Sequence, residues 1–301
     1  MIDTSFIKGS PDSDELCREI ARESGGVCFL SFSRGKDALA AWLNLTRFFD
    51  RVIPFTCAAV PHVPFADEYL AYVERVFGTH VIRLQDGGLY SMIDALQFQY
   101  PHDEPWIEKA QLPIYDAQNM ADALRTHLGL PRAWTAYGLN ASDSIDRMIT
   151  VRQCRGRYYG TRSFYPNYDW THAQSMQVLK DSGIALSNEY HIASRSFAGA
   201  PLPHTLLAVE RRAPDLLARL EHFYPLIRAS LARAHWRNEK CLPKKPEKEM
   251  AAKAEGRRAR GTRATRRSGG ASGKTATKRS SAKATTRRSS SSSGATSQSA
   301  R

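Results

Sequence analysis

Apolar positions along this chain alternate between two rhythms, one of period 3.6 and one of short continuous runs. Residues 13–24 carry Leu16, Ile20 and Ala21 on one helical face, with Ser13 or Asp14 as the expected N-cap. Val27-Cys28-Phe29-Leu30 is wholly apolar, as expected of a strand covered on both faces. Helical spacing returns from Ala38 to Phe49 through Leu39, Trp42, Leu43 and Leu45. Val52–Val60 then reads as a strand, Phe65–Phe77 as a helix stopping at Gly78, and His80–Leu84 as a strand. A helix follows near Tyr90–Phe98, then a loop holding Pro101, Pro105 and Pro113. Helix Ala117–Leu128 stops at Gly129, and Arg132–Leu139 is a strand. Strands alternating with helices imply right-handed crossovers and a parallel sheet.

After Leu139 the sequence turns rich in Arg, Tyr and Gly, then gives helices near His172–Ser182 and over Leu206–Trp236, the latter broken at Pro214 and Pro225. The predicted fold class is α/β: a Rossmann-like, doubly wound, mainly parallel sheet with helices on both faces. Residues 1–240 form that domain, and residues 241–301 form a tail of Lys, Arg, Ser, Ala, Thr and Gly. No apolar side chain larger than Ala follows Met250, so the tail cannot offset its ordering entropy and is expected to be disordered.

Charge sharpens this division. The net charge of the 301 residues is +13, but from Lys244 to Arg301 there are 17 Lys and Arg against 3 Asp and Glu. That leaves 26 basic against 27 acidic residues before Lys244, an electrically neutral body. A tail of spread cations is expected to bind nucleic acid by counterion release without reading sequence; the competing reading is a solubilising extension. The five cysteines show no C-x-x-C and no metal spacing, which argues against a disulfide framework, a zinc site or an iron–sulfur cluster. Reduced thiols in a cytoplasm are the expectation, with no signal peptide and no membrane span. Oligomeric state is open, a homo-oligomer included.

The chemistry concentrates after the first strand. Ser33-Arg34-Gly35-Lys36-Asp37 joins a buried strand to a helix N-terminus, where free amides and the helix dipole favour an anion. Gly35 is expected to allow close approach or a positive φ, Lys36 and Arg34 to add charge, Ser33 a hydroxyl, and Asp37 to cap the helix. An incidental strand–turn–helix connection is the plainer alternative. Gly138 to Arg147 follows another strand; Ser142, Asp143 and Ser144 suit a helix cap, and Arg147 one turn on can reach an anion or simply face solvent. Arg152, Arg155, Arg157 and Arg162 interleave with Tyr158, Tyr159, Phe164 and Tyr165, either to grip phosphate and stack on a base or as a basic loop anchored by aromatics. His62, after the second strand, could approach the site or be merely structural.

Ser33-Arg34-Gly35-Lys36-Asp37 resembles the PP-loop pattern S-G-G-x-D-S, with Arg34 at the first glycine and Ala38 at the last serine. Gly138-Leu139-Asn140-Ala141-Ser142-Asp143-Ser144-Ile145-Asp146-Arg147 is similar to G-x-R-x-x-[DE]-S-x-x-R, with Asn140 for the arginine. Phe65–Leu70, Tyr165-Pro166-Asn167-Tyr168-Asp169-Trp170, Arg195-Ser196-Phe197 and Phe223-Tyr224-Pro225 fit the same group in the same order. The chain thus resembles the phosphoadenosine-phosphosulfate (PAPS) reductase-like proteins, phage and prophage type, of the PP-loop ATP pyrophosphatase superfamily.

The resemblance implies an adenine nucleotide, ATP or PAPS, held by Ser31, Ser33, Arg34, Gly35, Lys36, Gly138, Asn140, Ser142, Asp143, Ser144 and Arg195. It gives the chemical roles to Lys36, Asp37 and Arg147, with Mg2+ compatible and no iron–sulfur cluster. The implied reaction is cleavage of ATP between the α- and β-phosphates, adenylating or transferring to an unknown acceptor, on or near nucleic acid. One alternative is a nucleotide-sensing, DNA-associated regulator without turnover, which Ala38 and Asn140 favour. Another is PAPS reduction, which is disfavoured because the C-terminal E-C-G-x-H cysteine segment is missing. A bacterial cytoplasm, nucleoid-associated or phage-infected, suits all three.

Overall fold

The computed structural model describes residues 12–194, 196 and 203–241. Its elements are α1 (Ser13–Ser24), β1 (Val27–Ser31), α2 (Lys36–Leu45), β2 (Arg51–Ala58), α3 (Pro64–Phe77), β3 (Ile82–Gln85), α4 (Gly87–Asp94), α5 (Glu104–Ala110), α6 (Ala117–His127) and β4 (Trp134–Tyr137). They continue with α7 (Ile145–Cys154), β5 (Arg157–Tyr158), β6 (Ser163–Phe164), α8 (His172–Ser182), α9 (Glu189–Ala193), α10 (Pro203–Arg212), α11 (Pro214–Phe223) and α12 (Ile227–Cys241).

One six-stranded sheet runs β3-β2-β1-β4-β6-β5. Every neighbouring pair is parallel except β5 with β6 at the edge. Both faces are covered, because alternate side chains of one strand enter different clusters. Cys28 and Leu30 of β1 join Leu39, Trp42 and Leu45 of α2 and Leu16 and Ile20 of α1. Phe29 between them joins Ile53 and Phe55 of β2 and Leu124 of α6 on the opposite face. This is why β1 is apolar from Val27 to Leu30 rather than alternating. Trp42 stacks on Phe77, with ring centroids 4.0 Å apart, and meets Phe32 edge-on at 5.1 Å. A third cluster gathers α10, α11 and α12 around Leu206, Leu217, Leu220 and Ile227, against Val60, Val63 and Ala66.

Several elements depart from the sequence pattern. The proline loop contains α5, with Pro105 in its first turn, where a missing N–H costs nothing. The pair β5–β6 has only two residues per strand, too few for a period to register. α2 begins at Lys36, so Gly35 is the N-cap and Asp37 lies inside the first turn rather than capping it. α1 is capped by Asp12, whose carboxylate accepts from the Glu15 amide.

Candidate functional site

From β1 the chain steps outward to β2 and β3, then returns to lay β4 on the other side of β1. The edge beyond the carboxyl ends of β1 and β4 is therefore the topological switch point, where open α/β sheets bind ligands. The two loops singled out by the sequence leave β1 and β4 at this place.

They also touch. A Cβ on Gly138 would lie 2.5 Å from the Ala38 Cα and 2.6 Å from its nitrogen, both backbone atoms. Only glycine lets the second loop sit so close to the start of α2. Asn140, fully buried, donates from Nδ2 to Asp37 Oδ1 at 3.1 Å and to Ser175 Oγ of α8 at 3.2 Å. Its Oδ1 is buried without a hydrogen-bond partner among the described residues. Asp37 in turn holds Lys36, whose Nζ is 2.7 Å from both carboxylate oxygens. The result is a chain of contacts from α8 through Asn140 and Asp37 to the Lys36 ammonium.

The turn itself is covered by α9. Lys36 donates its backbone N–H to the Tyr190 hydroxyl at 2.8 Å. A Cβ on Gly35 would lie 2.9 Å from Ser196 Oγ and 3.3 Å from Ser33 Oγ. Gly35 has φ −78°, so close approach and not a left-handed backbone is what the position uses. The left-handed residue is Arg34, at φ 61°. Its side chain does not project freely from the turn. It is 3% exposed, donates to Glu189 Oε1 at 2.8 Å and reaches Thr56 Oγ1 at 3.2 Å. Ser33 remains exposed, and Ser31 ends β1 beside Phe55 and Tyr137.

The remaining candidates serve local ends. Ser142 donates to the Trp170 carbonyl at 3.0 Å, and Ser144 caps α7 by accepting from the Arg147 amide at 3.2 Å. Arg147 is bonded to Asp143 on the exposed side of α7. These contacts do not join the first loop. Arg157 pairs with Glu19 and Glu23 of α1 and lies 4.8 Å over the Tyr159 ring, so it ties the edge strand to α1. Arg162 donates to the Pro131 carbonyl. Arg195 lies outside the described residues, as do residues 244–301.

A cavity of about 240 Å3 adjoins the turn through Arg34. It opens beyond the ends of β2 and β3, between Thr56, Ala58, Val63, Phe65 and Leu84, with His62 and Glu189 at its margin. Sequence reasoning passed over Thr56, Ser175, Glu189 and Tyr190. Cys57, between the cavity residues Thr56 and Ala58, packs instead on the other sheet face beside Met120; burial, and then Asp86, push it up to about 12 against a weaker opposing effect of Arg34. Burial also raises Cys17, Cys28 and Cys154. None of these four is poised as a thiolate. No cluster of three or more His, Cys, Asp or Glu among the described residues is arranged to hold a metal, and no helix among them is long and apolar enough to cross a membrane.

The sheet order and its paired loops define an α/β protein of the doubly wound class. Among solved structures, the chain is similar to a phosphoadenylyl-sulfate (PAPS) reductase from Candida auris, described as a phosphate complex. The TM-score is 0.38 at 10% identity, covering 62% of this chain and 86% of that one. It is also similar to an NH3-dependent NAD synthetase from Campylobacter jejuni subsp. jejuni NCTC 11168 in complex with nitrate. There the TM-score is 0.38 at 14% identity, covering 81% of this chain and 99% of that one. No family model and no curated protein sequence matches the chain.

Proposed function

We propose that the chain binds an adenine nucleotide at the switch point, with the phosphates on the Ser33–Asp37 turn and the adenosine in the neighbouring cavity. The observation that carries this reading is the closure of two loops 103 residues apart, where Asn140 grips Asp37 beside the α2 N-terminus. A helix N-terminus at the carboxyl edge of a parallel sheet favours phosphate. The apolar walls of the cavity suit a base and ribose. Mg2+ would be carried chiefly by the nucleotide's own phosphates and water, with few protein ligands.

Turnover would consist of attack by an acceptor oxygen on the α-phosphorus while the bond to the bridging oxygen breaks and pyrophosphate leaves. Lys36 is the cation at hand to neutralise the developing charge. The locked Lys36–Asp37–Asn140 chain favours a second reading, a nucleotide sensor that holds ATP without cleaving it. PAPS reduction has no support from the described thiols. Calorimetry of the intact chain against ATP, PAPS and adenosine 3′,5′-bisphosphate, with pyrophosphate release assayed in parallel, separates these readings. Binding of ATP with release that Lys36→Ala abolishes supports the enzyme; binding without release supports the sensor. No heat with any of the three nucleotides contradicts both. The basic tail is proposed to tether the domain to nucleic acid.

A further inference from the structure

The amide of Lys36 has one hydrogen, and in this structure it is already committed to the Tyr190 hydroxyl at 2.8 Å. Three contacts seat that hydroxyl on the turn. Glu189, the preceding residue, is fully buried and bonded to Arg34, which is anchored on Thr56. Ser196 Oγ crowds Gly35 from the same segment. The opposing residue, Arg34, belongs to the turn itself, so the covering segment and the turn are held together by a buried ion pair. The five-residue helix α9 is thereby held against the turn.

We infer that Tyr190 is a built-in competitor for the nucleotide's phosphate, its hydroxyl taking the place of a phosphate oxygen on the Lys36 amide until ligand displaces it. This rests on the nucleotide reading above and adds to it a regulated, self-covered state. In the alternative, Tyr190 stays, accepting from the Lys36 amide and donating its own hydrogen to phosphate, and its loss would then weaken ATP binding rather than tighten it. Displacement requires only that the ring swing away, since the Arg34–Glu189 pair does not depend on the tyrosine hydroxyl.

The test is ATP and adenosine binding by the intact chain and by Tyr190→Phe, followed by calorimetry. Removing the hydroxyl deletes one hydrogen bond that ATP must otherwise break, so ATP binding should tighten by about 2- to 10-fold. Adenosine, which has no phosphate, should bind both proteins equally. Equal or weaker ATP binding by the variant overturns the proposal while leaving nucleotide binding intact. Failure of both proteins to bind ATP removes the nucleotide reading and this inference with it. A second measurement covers poor folding of the variant: fluorotyrosine is placed at position 190 alone. Its 19F resonance should shift on saturation with ATP and stay put with adenosine; no shift with ATP overturns the proposal.

Discussion

Replacing Gly138 with alanine would set a methyl carbon 2.5 Å from the Ala38 Cα, against backbone that cannot rotate aside. The two loops would have to separate, and overpacking of this kind costs about 1–3 kcal/mol. Gly138→Ala should therefore lower stability by that amount in urea unfolding and weaken ATP binding as well; an unchanged midpoint would contradict the close packing of the loops. Cys57 offers a pH test. Its ordinary value of 9.0 is raised to about 12, chiefly by burial. Above about pH 9 the unfolded chain can release this proton while the folded one retains it, so stability falls as pH climbs from 9 towards 12. Urea midpoints should be steady up to about pH 8 and fall by about pH 10.5, and Cys57→Ala should lessen the fall. An identical fall in that variant would remove Cys57 as a cause.

At the scale of elements, α9 is seated by a buried ion pair. Glu189 and Arg34 are 0% and 3% exposed, so Glu189→Ala would strand a guanidinium in the interior. Breaking one side of such a pair costs about 3–5 kcal/mol, measurable by thermal or urea unfolding. A loss well below 1 kcal/mol would mean that α9 is only loosely seated. These elements also mark where sequence reasoning stopped. The alternating strands and helices were legible because Val27 to Leu30 is apolar throughout and α1 and α2 carry clear helical spacing. The Ser33–Asp37 and Gly138–Ser144 loops were legible because each follows such a strand. α9 was not, since five residues hold little more than one helical turn. Its contacts with the turn link residues more than 150 positions apart, and no local pattern encodes them. Arg34 illustrates the same limit. Its place in the turn was readable, but its partner Glu189 was not, so no local pattern marked its guanidinium as buried in an ion pair.

On the scale of the whole molecule, the sequence divides a neutral body from a strongly cationic extension. Truncation at Lys244 should abolish non-specific retention on DNA in low salt while leaving ATP binding unchanged. Retention with a steep salt dependence is the expected signature of the intact chain, because each phosphate contact adds about 0.9 to the slope of log K against log salt. Equal retention by both proteins would move the nucleic-acid contact into the body. The proposed nucleotide binding depends on phosphate reaching the start of α2, and backbone amide NMR of the 15N-labelled chain observes that event directly. Titration with ATP should shift Gly35, Lys36, Asp37 and Asn140 together, and leave the C-terminal half of α7 in place. Shifts confined to other parts of the sheet, with those four amides unmoved at saturation, would contradict the assignment of the turn as the phosphate site.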